Sequence, residues 1–504
     1  MGQRLFRTAA TRDTGPMLRH VRRVLVYASS ALAIVLATIV LTFAVQARLR
    51  LAELRPWHRV TLEQEFRANR ADAPKSFDEY LKLEDRLFAE LRNRVFDDKT
   101  AADSLMLGRY NPNSVPAHLA LDTPYNRSYE MVPQDPRGAV LLVHGLSDSP
   151  YSMRALAESF FAKGYYVLVL RLPGHGTVPA SLIDVTWKDW YRSVVLAAKH
   201  AGERAGNGKP FLACGHSTGA ALLALYALRA LDDPALPRLE HLYLISPAIG
   251  ISRFAVLTNV LAGLSFVPAF EKSKWLDVQP EYDPYKYNSF PVNAANQIHT
   301  LTRVLRRALD DAGQRGKLGA MPRILVFQSL VDSTVTAADV VGGLLARLPA
   351  RGNELCVFDV NRRDRLEGLL APGPMEGLER LKATPDLPFR LTIVGNRPGG
   401  TTDVALYTRE PGEREFAVSD QPLQWPRGVF SLGHVALPFP PDDPVYGFAP
   451  KAGAEDDFNL GAVAARGEAG ALLMPFDAFV RLRSNPFFDV IKARIDESLR
   501  DDAR

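Results

Sequence analysis

From residue 138 onward, short apolar runs alternate with stretches of helical periodicity. The runs are AVLLVHG (139–145), YYVLVLRL (165–172), FLACGHS (211–217), HLYLISP (241–247), RILVFQS (323–329) and ELCVFDV (354–360). Between them, MRALAESFFAKG, WYRSVVLAAKHAG and ALLALYALRAL place apolar residues three and four positions apart. A strand that is apolar on both faces must be covered on both faces. The alternation therefore predicts an α/β domain over 138–504, with a mostly parallel sheet between two helical layers. Two stretches interrupt it. Residues 249–318 carry LTNVLAGLSFVPAF and the aromatic EYDPYKYNSF and are expected to form a cap. Residues 361–428 carry two further strand-like runs, FRLTIVG and DVALYTRE, separated by RPGGTT, and are expected to form an extra insertion. Upstream, LEQEFRANR and FDEYLKLEDRLFAELRNRVF have helical spacing. Residues 48–137 thus read as a helical stalk, or a layer packed on the main domain, followed by a Pro- and Asn-rich loop.

The N-terminal pattern differs in kind. Val24 to Ala47 run without a charge, and a helix needs about 20 such residues to cross the hydrocarbon core of a bilayer. Arg4, Arg7, Arg12, Arg19, Arg22 and Arg23 precede them. Positive flanks stay in the cytoplasm, so residues 1–23 are expected as a basic cytoplasmic tail and 24–47 as a single transmembrane helix. The catalytic domain would then be periplasmic or otherwise extracytoplasmic in a bacterium. The alternatives are a signal peptide cleaved after Val45 and Ala47, which the length of the apolar run opposes, and a buried core helix.

Charge and cysteine usage narrow the class. Residues 1–50 hold eight Arg and one Asp, a net +7, while the whole chain carries +5, so residues 51–504 carry −2. The basicity is a tail and not a phosphate-binding face, which argues against nucleic acid as a partner. Cys214 and Cys356, the two cysteines, both lie in apolar runs and read as buried thiols. No G-x-G-x-x-G, P-loop or metal-ligand cluster is present, so neither cofactor nor metal is expected.

The chemistry centres on Gly215-His216-Ser217-Thr218-Gly219, a G-x-S-x-G motif. It follows an apolar strand and opens an apolar helix, the strand–turn–helix setting in which a strained elbow lifts the serine hydroxyl above a sheet. A neutral hydroxyl is a poor nucleophile and needs a base, itself oriented by an acid. In such folds the chain order is Ser, acid, His. His434 is the one histidine of ten that lies after residue 300, which makes it the candidate base. The candidate acid is Asp332, just past the RILVFQS run; Asp339 and Asp359 are its rivals, and a helix-capping role is the structural alternative. Backbone N–H groups of Leu146, after the first central strand, and Thr218, after the serine, are the candidate oxyanion donors.

Together LLVHGLSDSP, RLPGHGTVPASL with TWKDWYRSV, GHSTG, QSLVDSTV and GHVALPFPPDD resemble the branch of the α/β-hydrolase superfamily that holds monoacylglycerol lipases, carboxylesterases and S33-like serine aminopeptidases. The resemblance spans residues 138–445. It implies an α/β-hydrolase fold, nucleophile Ser217, acid Asp332, base His434 and oxyanion donors Leu146 and Thr218. The chain departs from it in its N-terminal extension and in the 102 residues separating Asp332 from His434.

An apolar cap (Phe254, Leu257, Leu261, Leu264, Phe266, Phe270, Trp275, Tyr282, Tyr285, Tyr287) and a membrane segment point to an ester or lipid substrate. The competing readings are an aminopeptidase, which would hold a substrate amine through acids such as Glu271, Asp277, Glu281 and Asp283, and a non-catalytic binding protein on a hydrolase scaffold. Oligomeric state is not legible.

Overall fold

The computed structural model describes residues 51–97, 107–250, 268–332, 334–364, 372–451, 458–461 and 481–501. Ahead of these it describes residues 20, 22–32, 34–35, 38 and 42. Much of the expected membrane segment, and the apolar stretch 251–267 of the expected cap, lie outside the described residues. Those described within 22–42 are helical and exposed. Among the described residues, no helix is long and apolar enough to cross a membrane.

An N-terminal layer comes first. Helix α1 (Phe77–Leu91) starts where the Ser76 side chain accepts the Glu79 N–H. It turns Phe77, Tyr80, Leu83, Leu87 and Leu91 inward at three- and four-residue spacing. The LEQEFRANR stretch, expected as helix, is instead a run of turns that points Phe66 and Glu65 into the interior. Helix α2 (Val115–Asp122) follows, N-capped by Ser114.

The main domain is one twisted sheet. In chain order its strands and helices are β1 (Tyr129–Met131), β2 (Ala139–Val143), α3 (Arg154–Ala162), β3 (Tyr166–Leu170), α4 (Trp187–Ala205), β4 (Phe211–His216), α5 (Thr218–Ala230) and β5 (His241–Ile245). A small ribbon, β6 (Trp275–Asp277) with β7 (Phe290–Pro291), precedes α6 (Val292–Gln314). The sheet then resumes with β8 (Arg323–Ser329), α7 (Ala337–Gly343), β9 (Glu354–Phe358), α8 (Pro372–Ala383), β10 (Arg390–Asn396), β11 (Asp403–Arg409) and β12 (Ala417–Gln424), and α9 (Phe488–Asp501) closes the chain. Among the described residues the sheet order is β1-β3-β2-β4-β5-β8-β9-β10-β11-β12. The seven strands from β3 to β10 run parallel; β1, β11 and β12 pair antiparallel at the two edges. This is the α/β-hydrolase fold, with the sheet covered on both faces by two separate apolar cores. Cys214 and Cys356 are buried free thiols on β4 and β9.

All six apolar runs form strands, as do FRLTIVG and DVALYTRE. Residues 361–428 therefore extend the sheet itself and do not sit over it. The expected cap also divides. Its second half is α6, whose Ile298, Leu301, Leu305 and Leu309 join the sheet-covering core, so that half belongs to the core.

The N-terminal layer is pinned by a buried charge cluster. Arg171, at the end of β3, donates from Nε to Glu84 at 2.7 Å and from Nη2 to Glu65 at 3.2 Å. The Tyr80 hydroxyl donates to the Arg171 carbonyl at 2.8 Å. All of these side chains are buried, and burial pushes the Glu84 carboxyl up against the pull of Arg171. Removing one partner strands the others as unpaired buried charge. Arg171→Met is expected to cost about 3–5 kcal/mol, read as the urea unfolding midpoint of the full chain; a midpoint unchanged from the parent protein would contradict this.

Candidate active site

The site forms where β4 meets α5. Ser217 sits between them at φ 52°, ψ −110°, a left-handed conformation that strains a side-chain-bearing residue. Its N–H donates to the Ile245 carbonyl at 2.9 Å, and its carbonyl accepts from Ala248 at 3.1 Å. The neighbouring strand end therefore clamps the elbow from both sides. Gly219 explains the tightness of the turn: a Cβ there would lie 2.2 Å from the Val143 carbonyl oxygen and 2.6 Å from that of His144. The helix thereby seats directly on the end of β2.

That close approach sets the oxyanion loop, residues 143–150, beside the serine. A Cβ on Gly145 would meet Ser217 Cβ at 3.3 Å. His144 braces the loop. Its Nδ1–H donates to the Gly145 carbonyl at 2.8 Å, and its Nε2 accepts the Leu172 N–H at 3.0 Å. This pattern requires the neutral ring, and burial lowers the His144 pKa to about 4. Neither the Leu146 nor the Thr218 N–H donates a hydrogen bond among the described residues. Thr218 follows the serine in the elbow, and Leu146 follows Gly145, the residue that approaches Ser217.

The acid and the base meet on the other side. Asp332 follows β8 in a turn that it closes itself: its Oδ1 accepts the N–H groups of Thr334 and Val335 at 2.8 and 3.0 Å. Its Oδ2 accepts from Gln328 Nε2 at 3.1 Å and from His434 Nδ1 at 2.7 Å. Burial alone would raise the Asp332 pKa; the hydrogen bond and charge of His434, with the two N–H groups, hold it below the ordinary range. The carboxylate thus stays ionised and fixes the imidazole with Nδ1 protonated, leaving Nε2 to act as a base. His434 opens a one-turn helix, and its loop is tied to the sheet by the Ser329 hydroxyl, which donates to the Leu432 carbonyl at 2.8 Å. Asn361, beyond β9, donates its N–H to the Phe430 carbonyl at 2.7 Å.

The structure therefore brings Asp332 to His434 by a direct hydrogen bond. No hydrogen bond joins the Ser217 hydroxyl to His434 among the described residues. The two halves of the site touch through His216, whose Nε2 donates to the His434 carbonyl at 3.3 Å and whose ring lies 5.1 Å from the His434 ring. The rival acids are committed elsewhere. Asp339 caps α7 with Thr336, and Asp359 pairs with Arg362. His216 went unremarked in the sequence because it is a variable position of the elbow motif; its burial and its contact with the base appear only in three dimensions.

Val435, next to His434 in the chain, lines a cavity of about 350 Å³ together with Phe439, Tyr446, Arg481, Arg483 and several residues between 277 and 288. Of the aromatic residues expected to line a cap, Trp275 is buried edge-on against His58, and Tyr285 stacks on Tyr151 at 4.0 Å. Tyr282 and Tyr287 line the cavity. Of the acids considered for amine binding, Glu271 pairs with Arg59 at the surface. Glu281 is buried, accepts the N–H groups of Asn288 and Ser289, and has its pKa raised by burial to about 7. Asp283 accepts from the Tyr446 hydroxyl and from two backbone N–H groups. Asp277 lines the cavity. Among the described residues no group of three or more His, Cys, Asp or Glu is placed to hold a metal ion.

Residues 134–355 match the family described as serine aminopeptidase, S33. A thermostable monoacylglycerol lipase of Bacillus sp. (strain H-257) is 49% identical over 55 residues, 11% of this chain and 22% of the relative. The chain thus matches about a fifth of the length of that curated relative. Among solved structures, one from the metagenome-derived lipolytic enzymes LipS and LipT is 23% identical, covers 52% of this chain and 99% of its own, and superposes with a TM-score of 0.37. A soluble variant of the monoglyceride lipase of Saccharomyces cerevisiae, in complex with a substrate analog, is 13% identical over 46% of this chain and 81% of its own, with a TM-score of 0.36. The family match and the monoacylglycerol lipase segment agree with the resemblance read from the motifs, to the α/β-hydrolase superfamily in its lipase, esterase and S33 branch.

The Asp332–His434 bond gives a direct test. Asp332→Asn keeps the shape but favours the wrong imidazole tautomer. If the pair orients a catalytic base, kcat toward a reactive ester falls by about 10³–10⁴-fold; retention of more than a tenth of the activity would show that Asp332 does not orient the base.

Proposed function

We propose that this chain is a serine hydrolase that cleaves carboxylic esters through an acyl-enzyme, and that residues 24–47 tether it to a membrane with the N-terminus cytoplasmic. The observation that carries the reading is the buried, ionised Asp332 holding the His434 ring at 2.7 Å, at the C-terminal end of a strand parallel to the one that leads into the strained Ser217 elbow. Such an arrangement holds a base in one tautomer at some cost in buried charge, which a merely structural histidine does not require.

The chemistry follows from the geometry. Ser217 Oγ attacks the ester carbonyl carbon while His434 Nε2 takes its proton. The carbonyl oxygen becomes an oxyanion, stabilised by the N–H groups of Leu146 and Thr218. Collapse of the intermediate breaks the bond to the alkoxy oxygen, and that oxygen leaves with the proton from His434. Water then attacks the acyl-enzyme by the same route, and His434 returns a proton to Ser217. Asp332 stays ionised throughout and stabilises the imidazolium.

The family match to S33 aminopeptidases keeps peptide cleavage as the second reading. The side chains around the site support it less. Glu281 and Asp283 spend their oxygens on backbone and tyrosine donors, and Glu271 faces Arg59, so the cavity offers an incoming ammonium mainly Asp277. The membrane tether is supported by the uncharged run 24–47 and its arginine flank. It is also supported by Val24, Leu25, Tyr27 and Leu32, which stand 58–72% exposed with no described part of the protein covering them.

Full-length protein in mild detergent is expected to hydrolyse nitrophenyl esters of short and medium acyl chains faster than an aminoacyl-anilide. Ser217→Ala and His434→Ala should each lower ester turnover by at least about 10⁴-fold. Faster cleavage of the anilide would favour the peptidase. Folded protein that turns over neither substrate, in detergent or in vesicles, would leave a binding role. For the tether, the protein is expected in the membrane fraction after alkaline carbonate washing, with its main domain digested by protease added outside the cytoplasm; release by carbonate would contradict the tether.

A further inference from the structure

Among the described residues that line the cavity beside His434, cations outnumber carboxylates by three to two. Its cations are Lys286, Arg481 and Arg483; its carboxylates are Asp277 and Asp283. Asp283 is buried and already engaged: its Oδ1 accepts from the Tyr446 hydroxyl at 2.5 Å and from the N–H groups of Tyr285 and Lys286 at 3.0 and 3.1 Å, and Arg483 Nη1 stands 3.8 Å from its Oδ2. Burial raises its pKa against the pull of Arg483 and of the groups that donate to it. Asp277 accepts from Gln279 Nε2 at 2.5 Å. Arg483 donates from Nη2 to the Tyr282 hydroxyl at 3.2 Å. Lys286 and Arg481, by contrast, have no ion pair among the described residues.

The position of Lys286 matters as much as its charge. The next residue, Tyr287, donates its N–H to the Ser147 carbonyl at 2.7 Å, which ties Lys286 to the oxyanion loop. Val435, adjacent to His434 in the chain, also lines the cavity. The cavity therefore adjoins the loop 143–150 through Tyr287 and the histidine loop through Val435. A partly apolar space of this size, with an ammonium and a guanidinium that make no ion pair among the described residues, fits a ligand that is itself negatively charged.

We propose that this cavity receives a negatively charged group, a carboxylate or a phosphate, carried by the ester substrate, and that Lys286 and Arg481 select anionic over neutral esters. The proposal rests on the esterase reading above and names its substrate class. Binding and turnover can be tested separately.

For binding, full-length Ser217→Ala protein in detergent would be titrated calorimetrically with glycerol 3-phosphate, succinate and glycerol. Binding of at least one anion, with none of glycerol, is expected. The tighter anion identifies phosphate or carboxylate as the group read. Lys286→Met should weaken that binding about ten-fold, and Lys286→Arg should restore most of it. For turnover, Ser217-intact protein would be compared on 1-oleoylglycerol against 1-oleoylglycerol 3-phosphate, and on nitrophenyl butyrate against nitrophenyl hemisuccinate. The ratio of kcat/KM, anionic to neutral, is expected to exceed one in at least one pair through a lower KM, and to fall about ten-fold in Lys286→Met. Equal binding of glycerol and the anions, or anion binding indifferent to Lys286, overturns the proposal. Anion binding that depends on Lys286 without turnover of any ester supports the cavity and defeats the esterase reading instead.

Discussion

The 2.7 Å hydrogen bond between Asp332 and His434 joins two points 102 residues apart in the chain. Everything between them must return the histidine to the strand end that the aspartate leaves. The intervening chain does so by adding strands: β9 and β10 continue the parallel sheet, and β11 and β12 turn back antiparallel. The stretch after β12 then runs back across the strand ends. Its grip there is made of ordinary polar contacts, Ser329 to Leu432 and Asn361 to Phe430, which place the histidine loop before any chemistry is asked of it.

The other half of the site depends on the backbone. Ser217 at φ 52° is tolerated because β4, β5 and the end of β2 over-determine it, through two hydrogen bonds to the elbow and a contact at Gly219 that leaves no room for a Cβ. The same packing carries the oxyanion loop to the serine. Further out, Arg171 links the end of β3 to Glu65 and Glu84, so the N-terminal layer and the loop around His175 are held by one guanidinium. Strain at the elbow and charge in the interior are both offset by the large apolar cores on the two faces of the sheet.

Much of this was legible in the residues. Six near-continuous apolar runs became the parallel strands because burial on both faces leaves no alternation to misread. Ser217 follows β4 and Asp332 follows β8, as the strand-end pattern suggested, and Asp332 accepts a hydrogen bond from His434. Strand β12 was not legible: AVSDQPLQ lies on an exposed edge, and its hydrogen bonds to β11 carry no apolar signature. Helix α6 was hidden for the opposite reason. Its periodic Leu301, Leu305 and Leu309 stood within a stretch whose aromatic content suggested a cap. LEQEFRANR looked helical, but Glu65 is drawn out of any helix to reach Arg171. The charge of the cavity beside His434 could not be read at all, since residues 277–288, 435–446 and 481–483 meet only after folding.

The central claim is that Ser217 is the nucleophile of a triad completed by His434 and Asp332. The most direct measurement is the site of covalent modification by a fluorophosphonate, mapped by peptide mass spectrometry on full-length protein. The account predicts a single stoichiometric adduct on the peptide carrying Ser217, formed orders of magnitude more slowly when His434 is replaced by alanine. An adduct on another residue, or labelling of Ser217 at a rate indifferent to His434, would contradict it.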